Sequence, residues 1–149
     1  MLNIALIGLG RMGRKYFKVL KKNEHFNLIK VLRKKNYTRK NTFVKFYNNR
    51  NKFFSKNKKN IHAYIIASPL NTHYEYIKKI LTKKKPLIIE KPIVKNIHEL
   101  KKINILSRNV KHPVLVNHTD LYNPAFKKLE KKLKLIGNYR KIKIEFGKF

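Results

Sequence analysis

Residues 3–13 read NIALIGLGRMG. The first six form an unbroken apolar run ending on glycine, the mark of a strand covered on both faces. Gly8, Gly10 and Gly13 then fall as G-x-G-x-x-G, with Met12, Tyr16, Val19 and Leu20 at helical spacing behind them. That glycine spacing alone is weak evidence. It gains weight when it follows a strand and opens a helix, as here. The chain has five glycines, and three of them are in this loop. So concentrated a use of a scarce residue needs a backbone reason. Gly8 suits the tight turn, Gly10 the close approach of a pyrophosphate, and Gly13 the packing of helix on strand. Arg11 and Met12 complete the loop, where the free amides of the helix start would hold phosphates.

The same alternation continues outward. LIKVL (28–32), TFVKFY (42–47), AYIIA (63–67), PLIIE (86–90) and PVLVN (113–117) read as further strands. Between them, Tyr74, Ile77, Ile80 and Leu81 give one amphipathic helix, and Ile97, Leu100, Ile103 and Leu106 another. Thr72 with Glu75, and Asn96 with Glu99, have the spacing of helix-capping pairs. Asn123-Pro124 reads as a helix start and Gly137 as its stop. KIKIEF (141–146) alternates like a strand with one wet face. Buried parallel strands alternating with helices predict an α/β doubly wound parallel sheet of the Rossmann type. We expect this dinucleotide-binding domain over 1–120. Residues 121–149 then read as only the beginning of a second α/β domain, since one helix and one strand cannot form a core.

Composition narrows the function classes. With 42% hydrophobic residues the chain can bury a core, and without cysteine it has no disulfide or thiolate metal site. No His, Asp and Glu set has metal-ligand spacing, and no apolar run approaches the ~18 residues of a membrane span. The N-terminus has no basic region ahead of its apolar run, so we expect a cytoplasmic protein with no membrane partner. The net charge is +31, from 38 Lys+Arg against 7 Asp+Glu. Such a field attracts polyanions. Yet 31 of the bases are lysine, accompanied by many Asn, Ile, Tyr and Phe whose codons are AT-rich. The bases also run through the whole chain, so we expect no specific nucleic-acid partner.

The strand ends carry the rarer chemistry. In sheets of this type ligands bind beyond the carboxyl ends of the strands. After the second strand, where an acid would take the ribose 2′-hydroxyl of NAD, stand Arg33, Lys34 and Lys35, and no Asp or Glu occurs between Glu24 and Glu75. A guanidinium there binds a 2′-phosphate in two-pronged fashion. The pattern favours NADP and leaves NAD open. The later strand ends hold Ser68-Pro69-Leu70-Asn71-Thr72-His73, Glu90-Lys91-Pro92 and Asn117-His118.

Taken together, GLGRMGRKYFKVL (8–20), AYIIASPLNTHYEYI (63–77), PLIIEKPI (86–93) and VNHTDLYNPAFKKLE (116–130) resemble the Gfo/Idh/MocA oxidoreductases, the glucose–fructose oxidoreductase and inositol dehydrogenase group. Glu-Lys-Pro after the fifth strand is the most specific match. The resemblance covers nearly all of this chain but only the first part of a family chain. It implies hydride transfer between a nicotinamide cofactor and a sugar, polyol or nucleotide-sugar carbinol, by a full-length form that is a homo-oligomer. Lys91 matches the catalytic lysine and Glu90 a contact to the cofactor ribose. Ser68, Pro69, Asn71 and His73 match the loop along the cofactor. His118 and Tyr122 match the passage into the substrate domain, where substrate would be met. Leu121 stands where many relatives have arginine, and Asn117 where the pattern has glycine. On this resemblance we expect these 149 residues to lack most of the substrate domain, and so expect little turnover from this chain alone. A non-catalytic dinucleotide-binding module, a decayed fragment and a basic nucleic-acid binder remain as rival readings.

Overall fold

β1 (Leu2–Ile7) lies at the centre of a parallel sheet in the computed structural model, which describes residues 1–34, 43–55, 60–108, 110–138, 140–143 and 145. It pairs on one side with β2 (Phe26–Leu32) and on the other with β4 (Ala63–Ile66). Beyond β2 lies β3 (Lys45–Tyr47); beyond β4 follow β5 (Leu87–Glu90) and β6 (Val114–Asn117). The order β3-β2-β1-β4-β5-β6 is all parallel and reverses direction between β1 and β4, which opens a crevice at their carboxyl ends.

Side-chain alternation sends β1 into both cores. Ile4 and Leu6 join Leu28, Val31 and Ile65 under α1 (Arg11–Lys22), which contributes Leu20. Ala5 and Ile7 face the opposite layer with Ile66 and Ile89. There α2 (Arg50–Phe54), α3 (His73–Thr82) and α4 (Ile97–Arg108) bring Phe53, Ile77 and Ile103. Helices therefore cover both faces, as the sequence predicts.

The sheet has an irregularity at its centre. The β1–β2 register slips between Ile4 and Ala5, so that Ile4 faces Leu28 while Ala5 faces Lys30. Ile29 is the extra residue of a bulge, and the alternation of β2 is reset behind it. Lys30 consequently turns inward on the Phe53 side, where it is 2% exposed. Its ammonium donates to the Phe53 carbonyl at 2.5 Å and lies 4.7 Å from the Phe53 ring centroid.

Three local expectations need correction. Thr72 does not cap α3 through its side chain, because its hydroxyl is turned back to the Pro69 carbonyl at 2.7 Å; Glu75 pairs with Lys78 instead. Asn96 does cap α4, accepting from the Glu99 amide at 2.9 Å. Lys141–Lys143 and Glu145 form no strand; the other residues of 144–149 lie outside the described set. Alternation alone makes no strand without a neighbour to share its ladder. Of the third expected strand, Lys45–Tyr47 forms, while 42 and the lysine-rich 35–41 before it are outside the described residues.

The chain divides into compact units at Asn117/His118. The second unit holds a short 3-10 turn (Thr119–Tyr122) and α5 (Pro124–Ile136). Asn123 caps that helix on the Ala125 amide at 2.9 Å, Pro124 opens it, and Gly137 at φ +75° ends it. Among the described residues no helix is long and apolar enough to cross a membrane.

Candidate functional site

The glycine loop joins β1 to α1 at the sheet's crevice, and each glycine has its own constraint. Gly8 has φ +95°, a conformation side chains rarely adopt, and a Cβ there would run into the Ala67 carbonyl. At Gly13 a Cβ would strike the Gly8 carbonyl, so helix and strand approach backbone to backbone. Gly10 differs: a Cβ built on it meets nothing within 4 Å. The protein's own packing does not require glycine at 10, whereas a ligand approaching the amides of α1 would.

That opening belongs to a cleft of about 800 Å³ along the strand ends. Gly8, Gly10 and Met12 border it on the loop side. Toward β2 and β3 the wall is Arg33, Lys34, Asn48 and Arg50; toward β4 and β5 it is Ser68, Pro69, Asn71, Glu90 and Lys91. Among the described lining residues Glu90 is the only carboxylate, so the cleft is cationic. Arg11 is exposed beside the loop and is not on the wall.

Glu90 is held from two sides. Its Oε1 accepts from the Tyr16 hydroxyl at 2.6 Å and from Asn117 Nδ2 at 2.8 Å, and Asn117 Nδ2 also donates to the Tyr16 oxygen at 2.5 Å. Burial and the Glu90 carboxylate raise the Tyr16 pKa, while the Asn117 contact works against them; the phenol therefore remains a donor at neutral pH. In the sequence Tyr16 shows only as one of the helically spaced residues behind the glycine loop. It lies against the core, but its hydroxyl reaches the site, a contact that joins residues 74 positions apart and leaves no local signal in sequence.

His73 lies elsewhere than expected. It is 2% exposed and absent from the cleft wall. Its Nε2 faces the Ser68 carbonyl at 2.9 Å, and its Nδ1 faces the carbonyls of Pro92 at 3.1 Å and Ile93 at 3.3 Å. The ring ties the turn after β4 to the turn after β5, where Lys91 is exposed and Lys91–Pro92 is a cis peptide. A buried imidazole so engaged braces the rim of the cleft. Ser68 in turn shares a hydroxyl contact of 2.8 Å with Thr72.

Arg50, Asn48 and Tyr76 on the cleft wall were not foreseen. Residues 34–60 are too biased toward lysine and asparagine for their pattern to show α2, whose cap is the Asn49 side chain on the Lys52 amide at 3.0 Å. Burial raises the Tyr76 pKa, and the nearby Arg50 charge opposes that rise. His118 and Tyr122, the expected substrate contacts, are exposed residues of the second unit, at the start and end of its 3-10 turn. Among the described residues no cluster of His, Asp and Glu could hold a metal.

The model of the Gfo/Idh/MocA oxidoreductases, a family with an NAD-binding Rossmann fold, matches residues 2–118. The chain belongs to this family. The match ends one residue past the first compact unit, so the family's cofactor-binding part and the cleft described above are the same body. No curated protein sequence matches the chain. Solved structures with the same fold include a myo-inositol 2-dehydrogenase from Lactobacillus plantarum, 17% identical with a TM-score of 0.76, over 90% of this chain and 41% of that one. An apo scyllo-inositol dehydrogenase from Lactobacillus casei is 17% identical with a TM-score of 0.77, over 93% and 43%. The WlbA (WbpB) dehydrogenase from Thermus thermophilus, solved with NAD and UDP-GlcNAcA, is 20% identical with a TM-score of 0.76, over 91% and 47%. At these identities the likeness is one of fold. The chain spans less than half the length of each of these Gfo/Idh/MocA-type structures.

Proposed function

We propose that this chain holds NADP(H) in preference to NAD(H), as the cofactor-binding part of an oxidoreductase acting on a sugar, polyol or nucleotide sugar. The observation that carries the reading is Gly10, bare toward a cationic cleft at the start of α1. The loop amides and the positive end of α1 suit a pyrophosphate. Arg33, with Lys34 and Arg50 on the same wall, suits a phosphate on the adenosine ribose, and no carboxylate stands there to repel it. Glu90 accepts from a ribose hydroxyl toward the β5 side, and Pro69 and Asn71 border the cofactor between the two ends. When bound, the nicotinamide supplies or takes up a hydride.

Lys91 takes the role of proton donor and acceptor at the substrate oxygen. A lysine does this best when partly withdrawn from water. Lys91 is exposed in these 149 residues, so we expect binding with little or no turnover. His118 and Tyr122 take the substrate side of the reading, and a sugar-class substrate rests on the family alone.

Fluorescence titration of the chain with NADPH and NADH is the test. Tighter NADPH binding supports the reading. Equal or tighter NADH binding overturns the phosphate argument, and binding of neither overturns the dinucleotide site. Sustained reduction of NADP+ by a polyol, or oxidation of NADPH by a keto sugar, with this chain alone would show that Lys91 needs no further shielding.

A further inference from the structure

We infer that Tyr16 and Asn117 are positioning residues that orient Glu90 as an acceptor for a ribose hydroxyl in the cleft. The inference rests on the dinucleotide reading of that cleft. Both neutral donors meet on one carboxylate oxygen, Oε1, and they also bond to each other, closing a triangle across α1, β5 and β6. Oε2 accepts no hydrogen bond from the described residues, yet Glu90 lies on the cleft wall. One oxygen is thus saturated and the other retains its lone pairs for a ligand donor.

The chemistry of the two donors matters in this molecule. In a chain of net charge +31 a cation is the commonest partner on offer to a carboxylate, and pairing with one would consume its accepting capacity. Tyr16 and Asn117 fix the carboxylate without neutralising it. The phenol, with its pKa raised by burial, stays protonated as a donor over the working pH range. Asn117 stands where the resembling pattern has glycine, and a glycine would offer no side-chain donor to Glu90. A hydroxyl is the ligand that fits, since a phosphate would meet the Glu90 charge.

The experiment uses the full chain and four variants: Tyr16→Phe, Asn117→Gly, Glu90→Gln and the double variant Tyr16→Phe/Glu90→Gln. Each is titrated with the dinucleotide that the wild type binds and with its adenosine half, 2′,5′-ADP for NADPH or ADP for NADH. We expect each single variant to weaken the dinucleotide by about five- to tenfold, as for loss of a hydrogen bond to a charged group. The double variant should be no weaker than Glu90→Gln, because Tyr16 acts through Glu90. Affinity for the adenosine half should not change in any of them. Unchanged dinucleotide affinity in Tyr16→Phe and Asn117→Gly overturns the inference while leaving the cofactor reading intact. Parallel loss of the adenosine half also overturns it, since the triangle would then be a general structural brace. If Tyr16→Phe lowers the melting temperature, Asn117→Gly decides, as it removes only a side chain at a strand end. A wild type that binds no dinucleotide overturns both the inference and the reading beneath it.

Discussion

Arg33 and Arg50 come from different turns to the same cleft wall, one after β2 and one at the start of α2. Replacing Arg33 with Ala should weaken NADPH about tenfold or more and change NADH by less than about twofold, because only the former carries the extra phosphate. Arg50→Ala should move in the same direction by less. Isothermal calorimetry at two salt concentrations checks both, with NADPH binding the more salt-sensitive. Arg33 was legible in sequence because its place, just past the second strand, is fixed by chain topology. Arg50 was not, since only folding brings it to the wall. Lys30 is a second case of this kind. Burial, with some repulsion from Lys83, lowers its pKa from 10.5 to about 8. Between those values the unfolded chain binds more protons, so stability attributable to Lys30 rises with pH across that window. At pH 7 Lys30→Met should be more stable than wild type by about 1 kcal/mol. That margin should narrow as pH rises through 8 toward 10. Denaturant melts of the two proteins compared at each pH read it directly, and a margin independent of pH would contradict it.

The three loop glycines separate two demands on one element. Gly8→Ala and Gly13→Ala force a Cβ into backbone atoms and should cost about 2 kcal/mol or more. Gly10→Ala has open space and should cost less than about 1 kcal/mol, while lowering dinucleotide affinity at least tenfold where the pyrophosphate approaches. Thermal melts beside cofactor titrations would show the split; Gly10→Ala binding like wild type would remove the main support for a phosphate site. At this scale the sequence is most readable. The apolar runs at 3–8, 63–67 and 86–90 are buried parallel strands because only such strands are apolar on both faces. What could not be read was contact-dependent. Thr72 has capping spacing, but its hydroxyl has a nearer acceptor in Pro69. The 141–146 stretch alternates, but its described residues have no neighbouring strand. The bulge at Ile29 leaves no trace in composition, yet it decides that Lys30 points inward.

At the scale of the molecule, both hydrophobic clusters and the whole cleft are built from residues between Ile4 and Val116 or their immediate rim. A shortened chain of residues 1–117 should therefore fold, melt cooperatively and bind the dinucleotide with an affinity within about threefold of the 149-residue chain. Circular dichroism and fluorescence titration check this, and an unfolded product would show that the first unit does not suffice. The charge has a further consequence at the same scale. Of the lysines described, Lys30 alone is buried, while the others share solvent to varying degrees. An amine-modifying reagent applied near pH 8 should thus acylate the surface lysines quickly and spare Lys30 until β2 parts from α2. Mass-spectrometric occupancy at that single position would then serve as a clock for opening of the core. The bulge has given the chain an internal reporter that needs no added label.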